Sequence, residues 1–132
     1  MSDDPRATLA ARQADLVAAL VAGGTPPPGV DPHRVEVTAR ALRRKRTREA
    51  ATQWPALLAT AAARDRFARW AAERPRTSAF VDGWDFADDD ERGGRLDEAA
   101  AAELATVRTR WRRGPGGLPV ARRRWWPPTA RR

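Results

Sequence analysis

Three groups of side chains in this sequence have chemistry of their own: a run of acids at 88–91, one histidine, and a segment rich in arginine. The four acids are consecutive, so they cannot all face one point, as the ligands of a metal ion must. His33 is the only histidine and cysteine is absent, which leaves the Ser and Thr hydroxyls without a nearby base. We therefore predict no metal site, no cofactor and no enzymatic activity. We interpret the acids as a solvated charge run and His33 as a surface residue.

The arginine-rich segment is predicted to be the one long helix around which the chain is organised. It begins at Asp31-Pro32, because an Asp oxygen accepts from free first-turn amides and Pro needs no amide hydrogen there. It ends before Pro55, which biases the preceding residue away from helical angles. On a helical wheel, apolar positions fall on one side and most arginines on the other. The side chains predicted to contact a partner are Arg40, Arg43, Arg44, Lys45, Arg46 and Arg48, with Gln13 from the helix before.

Arg46 does not follow this pattern, because it points into the apolar stripe. Glu49 lies one turn later, where an i, i+3 partner could neutralise it. Two interpretations remain: a long arginine stem that snorkels out from the edge of the core, or a partly buried guanidinium held for a partner's carboxylate. Gln13 poses a similar choice, since an amide on an apolar stripe is either satisfied inside the core or contacts a bound peptide.

The segments before and after this helix also carry helical signals. Asp4-Pro5 and Gly23-Gly24 bound a first helix over about 5–22. The Pro-rich residues 25–30 predict a stiff, extended connector. After Trp54-Pro55, the run ALLATAAA predicts a short helix.

Three further helices complete the predicted architecture. Asp65 is placed to cap one of them, Ser78 the next, and Leu96-Asp97 opens the last. Nothing in the sequence reads as a strand. We therefore predict an all-α fold, a compact bundle of five or six helices.

The predicted core consists of apolar positions at helical spacing. Trp54 is expected to fill the corner after the long helix, since an indole is a large apolar body whose N–H needs only one acceptor. Gly83 weakens the helix that follows Ser78 by about 1 kcal/mol relative to Ala. The predicted core residues are Leu16, Leu42, Trp54, Leu57, Phe67, Trp70, Trp84, Leu104 and Trp111.

The net charge of +8 is concentrated at the C-terminal end. Residues 108–132 hold nine of the 25 basic side chains and none of the 17 acidic ones, which leaves 16 basic and 17 acidic residues in the rest. We predict a helical domain over 1–113 and a disordered Arg/Pro/Trp tail over 114–132. Because the sequence has no long apolar run and no cleavable leader pattern, we expect a cytoplasmic protein.

The order of several short motifs resembles that of one family. The motifs are Gln13-x-x-Leu16, Trp54-Pro55-x-Leu57, Phe67-x-x-Trp70, Pro75-x-x-Ser78, Gly83-Trp84-x-Phe86 and Leu96 with Glu103-Leu104-Ala105. This order is similar to that of the HvfC/BufC/MbnC group of peptide-modification chaperones, an all-helical domain earlier labelled as DNA-binding. The resemblance covers about residues 8–112.

The resemblance implies a role as a partner protein. Such domains form a heterodimer with, or are fused to, a TIM-barrel iron oxidase that modifies cysteines of a ribosomally made peptide, and the iron belongs to that oxidase. The leading hypothesis is therefore a non-catalytic accessory domain that docks on the oxidase and helps present its peptide.

Two alternative functions follow from the positive charge. The first is nucleic-acid binding by the basic helix 40–48 together with the Arg/Trp tail, since Arg neutralises phosphate and Trp can stack on bases. The second is weak membrane-surface contact through Trp125-Trp126 and the arginines that flank them.

Overall fold

The computed structural model describes residues 4–123, which form five α-helices followed by a short β-hairpin. The elements are α1 (Pro5–Ala22), α2 (Pro32–Gln53), α3 (Ala61–Ala72), α4 (Ala79–Arg92), α5 (Glu98–Arg110), β1 (Trp111–Arg113), a 3-10 turn (Pro115–Gly117) and β2 (Pro119–Ala121). The predicted bundle of five or six helices is confirmed. No helix within 4–123 is both long enough and apolar enough to cross a membrane.

Four of the five helices begin at the residue that the sequence indicates. The side chains of Asp4, Asp31, Ser78 and Asp97 each accept a hydrogen bond from a backbone amide in the first turn of α1, α2, α4 and α5. The long helix α2 also ends where predicted, because Trp54 leaves the helical conformation just before Pro55. Local capping chemistry therefore accounts for these helix starts.

The prediction is wrong between Trp54 and the third helix. Residues 55–58 form a turn rather than a helix, and Glu103 of α5 accepts hydrogen bonds from the amides of Ala56 (3.1 Å) and Leu57 (2.7 Å). Helix α3 then starts at Thr60, whose hydroxyl accepts from the Ala63 amide at 3.1 Å. Asp65 is therefore an exposed residue inside α3 and not its cap.

Trp54 lies in the core at the corner after α2. It is fully buried, and its indole Nε1 donates to the carbonyl of Phe80 at 2.9 Å. Gly83 of α4 packs directly against it, since a Cβ at that position would lie 2.1 Å from Trp54 Cδ1. The glycine that weakens the helix locally is the residue that lets α4 approach the indole.

The rest of the core lies between α2, α3, α4 and α5. The buried or half-buried residues from the predicted set are Leu16, Trp54, Leu57, Phe67, Trp70, Trp84, Leu104 and Trp111. Leu42 is an exception, because it is 37% exposed beside Leu20 and Val21 of α1. The buried position one turn further along α2 is occupied by Arg46.

The chain after α5 does not follow the prediction of an unstructured segment from residue 114. β1 and β2 pair antiparallel, with Trp111 opposite Ala121 and Arg113 opposite Pro119. The glycines that suggested disorder make the tight connection, since Gly116 and Gly117 have φ values of +67° and +75°, a region that glycine adopts readily. The predictions made for 124–132, including Trp125-Trp126, lie outside the described residues.

Candidate functional site

The acids of α4 are not a solvated charge run, which corrects the sequence interpretation. Asp90 is only 2% exposed, and its carboxylate accepts from Arg66 NH2 and from Arg95 Nε, both at 3.1 Å. Burial of a carboxylate is tolerated when cations and hydrogen bonds compensate its charge. Within 4–123 no group of acids or histidine is arranged to hold a metal ion.

The outer acids of α4 attach the C-terminal part of the chain. Arg108 of α5 donates to Asp88 (2.9 Å) and to Glu91 (2.6 Å). Arg113 of β1 forms ion pairs with Asp85 (2.7 Å) and Asp88 (2.9 Å). These two arginines therefore connect α5 and the hairpin to α4.

Hydrogen bonds shift the pKa values of several members of this network. The pKa of Asp89 is lowered, mainly because the Trp70 indole donates to its carboxylate at 2.7 Å and against the opposing effect of burial. The hydrogen bond from Arg108 lowers the pKa of Glu91. The same contact raises the pKa of Arg108. All three shifts favour the charged forms of Asp89, Glu91 and Arg108.

Arg46 is a buried structural residue, so both interpretations offered for it are wrong. It is 5% exposed, and a guanidinium carries five N–H donors. Two of them reach Asp82, from Nε at 2.7 Å and from NH2 at 3.0 Å. The other three donate to the carbonyls of Ala71, Arg74 and Pro75 at 3.0, 2.9 and 3.2 Å. Every donor is used inside the chain, so Arg46 is neither a snorkelling side chain nor a partner contact.

The partner of Arg46 is held just as firmly. Asp82 is 2% exposed and also accepts from the hydroxyl of Thr77 at 2.8 Å. Glu49, the neighbour suggested by sequence, pairs instead with Arg76 of the α3–α4 connection. The Arg46–Asp82 pair therefore joins α2 to α4 and to the connection that precedes α4.

The other predicted contacts of α2 lie on its solvent-facing side. Arg44 and Arg48 are exposed and make no ion pair with any residue in the described part of the chain. Arg40 and Arg43 approach Glu36 at 3.8 and 2.9 Å. Lys45 approaches Glu49 at 3.8 Å. We call Arg40, Arg44 and Arg48 the arginine face.

A groove runs between this face and α3. Its lining includes Arg40, Arg43, Arg44, Thr47, Arg48, Arg64, Asp65 and Ala68. Arg64 and Asp65 come from α3 and did not figure among the predicted contacts, because only the packing of α3 against α2 brings them there. The groove thus has positive charge on both sides and one acid on the α3 side.

Gln13 lies apart from the arginine face and is exposed, so it is not an interior amide. It borders a shallow apolar depression formed by α1 and Pro75, in which Val17 is 58% exposed. His33 is exposed in the first turn of α2, as the sequence indicated. The structure therefore does not bring Gln13 together with the arginines of α2.

These features define a small helical domain in which one set of arginines holds the fold and another faces solvent. The chain belongs to the family described as SCO6045-like, C-terminal domain, whose family model matches residues 10–92. That match takes in most of α1 and all of α2, α3 and α4, and it does not identify the chain with the HvfC/BufC/MbnC group. No curated protein and no solved structure matched the chain.

Proposed function

We propose that this protein is a non-catalytic partner domain that docks on a barrel-type iron oxidase and helps present a ribosomally made peptide for modification. The kind of partner comes from the resemblance in motif order to peptide-modification chaperones. The observation that carries the docking role is the arginine face, since Arg44 and Arg48 are exposed and unpaired among residues 4–123. The arginines that contact α4, by contrast, are engaged with its acids.

An exposed arginine face, in which Arg44 and Arg48 have no ion pair among residues 4–123, suits an acidic protein surface. Arg binds carboxylates with two parallel hydrogen bonds, which adds orientation to charge attraction. Complementary charge also speeds encounter and disfavours the wrong partners. The buried Arg46–Asp82 pair lies on the opposite side of α2 and holds that helix against α4, so the face is presented from a rigid element.

The test is co-expression with the barrel-type iron oxidase of the same host, followed by measurement of the affinity of the purified complex. The variant Arg44→Glu/Arg48→Glu is expected to weaken the complex at least about tenfold, since charge reversal replaces attraction with repulsion. The matched control is Arg69→Glu, an exposed arginine of α3 that forms no ion pair within the described residues. Equal losses in the two variants would contradict the proposed surface, and absence of any complex would contradict the proposed function.

Nucleic-acid binding is the second candidate, because Arg40, Arg44 and Arg48 recur at every fourth residue along one side of α2. Such a row can neutralise phosphates, and binding would then weaken steeply with salt. Duplex DNA bound with nanomolar affinity at physiological salt, and lost in Arg44→Glu/Arg48→Glu, would favour this function. The near balance of charge over residues 1–107 supports the protein partner instead.

A further inference from the structure

We infer that the groove between α2 and α3 is a docking site for an acidic, amphipathic peptide segment of a protein partner. This inference rests on the proposed docking role and specifies the chemistry that the arginine face recognises. The groove is open to solvent and has a volume of about 370 Å³, with Arg44 and Arg48 on the α2 side and Arg64 on the α3 side. Its size fits a few side chains of a peptide, and its charge fits carboxylates.

Arg64 is the preorganised member of the groove. Its NH1 donates to the carbonyls of Leu58 and Ala59 at 3.0 and 3.3 Å, so the side chain is tied to the turn before α3. That turn is itself held by Glu103, which accepts from the Leu57 amide at 2.7 Å. Nε and NH2 of Arg64 have no hydrogen-bond partner among residues 4–123. A carboxylate would therefore meet a guanidinium whose position is already restricted, which lowers the entropy cost of binding.

The apolar lining of the groove favours a peptide over other acidic ligands. It is mostly apolar, since Ala68 and Thr47 line it together with arginine side chains, whose stems are apolar. An amphipathic segment can place an apolar side chain there and direct its carboxylates to the arginines. A phosphate backbone offers no such apolar group.

Asp65 adds a feature that can be tested. It lines the groove and forms no ion pair with the described part of the chain, so it repels an acidic ligand there. Removing this charge should strengthen peptide binding, an effect opposite in sign to the loss of the arginines. A general attraction to positive charge would not depend on one acid inside the groove.

The experiment uses the full chain and a fluorescein-labelled helical peptide with leucines on one face and glutamates flanking them, followed by fluorescence anisotropy. Arg44→Glu/Arg48→Glu should weaken binding about tenfold or more. Asp65→Asn should tighten it about two- to threefold. The matched control is Asp15→Asn, an exposed acid of α1 that should leave the affinity unchanged.

A second pair of variants tests the apolar part of the groove without a change in charge. Ala68→Phe fills the groove and should weaken peptide binding about tenfold, a loss typical of an apolar contact. Ala62→Phe places the same ring on an exposed position of α3 and should have no effect. Circular dichroism and thermal unfolding check that both variants fold. If Ala68→Phe does not fold, the Asp65→Asn measurement still tests the groove.

The inference is overturned if peptide affinity is the same in Asp65→Asn and in Ala68→Phe as in the wild type. It is also overturned if the chain binds duplex DNA, or vesicles of phosphatidylcholine and phosphatidylserine, more tightly than the peptide, and if Arg44→Glu/Arg48→Glu abolishes that binding while Asp65→Asn and Ala68→Phe do not change it. Peptide binding in the groove without a complex with the oxidase would refute the proposed function alone. A complex with the oxidase that survives Ala68→Phe and Asp65→Asn unchanged, without peptide binding, would refute the groove alone.

Discussion

The outer face of α2 and the acidic helix α4 both carry dense charge, but only one of them is satisfied inside the chain. Every acid from Asp88 to Glu91 has an arginine partner drawn from α3, α4, α5, β1 or the connection between α4 and α5. Arg44 and Arg48 have none within residues 4–123. A run of charge in this protein is therefore structural where distant segments pack against it, and remains exposed to solvent where they do not.

The surface and buried ion pairs of this domain should also differ in how much they stabilise the fold. Ion pairs at the surface contribute about 0–1 kcal/mol each, which applies to contacts such as Arg108–Asp88. Removing one member of a buried pair is costly, because it leaves an uncompensated charge in the interior. The Arg46–Asp82 pair, with both side chains at most 6% exposed, belongs to this second kind.

The largest effect is therefore expected for Arg46→Ala. Loss of the guanidinium strands the Asp82 carboxylate and three backbone carbonyls, and should lower the free energy of unfolding by about 3–5 kcal/mol. Urea denaturation monitored by circular dichroism measures the change. Arg44→Ala, two residues earlier and on the exposed side of α2, is the control and should change stability by less than about 0.5 kcal/mol. Similar costs for the two variants would remove the distinction between buried and exposed arginines of α2.

A smaller but still clear effect is expected for Gly83→Ala on the inner face of α4. In an exposed helix the change would stabilise by about 1 kcal/mol. Here the added Cβ would lie 2.1 Å from Trp54, so the variant should be destabilised by about 1–3 kcal/mol through overpacking. Thermal unfolding gives the sign directly. A rise in stability would mean that α4 and Trp54 are less tightly packed than the structure indicates.

The smallest effect concerns the outer acids of α4. The pKa of Asp89 is lowered chiefly by the hydrogen bond from the Trp70 indole, so this contact stabilises the folded state above the usual Asp pKa of about 3.9. That stabilisation is lost as pH falls through the lowered value. In Trp70→Phe the pKa of Asp89 should rise, as measured by carboxyl NMR titration. The pKa of Glu91, set mainly by Arg108, should stay unchanged; an unshifted Asp89 would show that the indole contact is not the cause.

Features that depend on residues close together in the chain could be predicted from sequence. Each helix start depends on a capping side chain and an amide two or three residues away, so it can be predicted from the local sequence. These starts are at Asp4, Asp31, Ser78 and Asp97. The burial of Trp54 followed from its place before Pro55. Both the helical fold and its main corner were therefore within reach of local rules.

Contacts between residues that are far apart in the sequence could not be predicted. Asp82 lies 36 residues beyond Arg46, and no spacing rule connects them. Local sequence predicts Asp65 as a cap because the contact that holds the turn before Thr60, from the Leu57 amide to Glu103, spans 46 residues. The groove depends on the packing of α3 against α2, so Arg64 could not be assigned to it from sequence. One available signal was Gly83 itself, since an isolated glycine in a helical pattern often marks a close approach.

The contact between Glu103 and the turn after Trp54 has a consequence for the order of folding. The two capped amides precede their acceptor by 47 and 46 residues. At a synthesis rate of roughly 5–20 residues per second, Glu103 is added to the chain about 2–9 s after the turn whose amides it accepts from. Over that interval α2 and α3 can form, but the corner between them lacks its acceptor and Leu104 is absent from the core. A nascent chain halted after α4 should therefore be digested by protease at this turn, and one extended through α5 should resist.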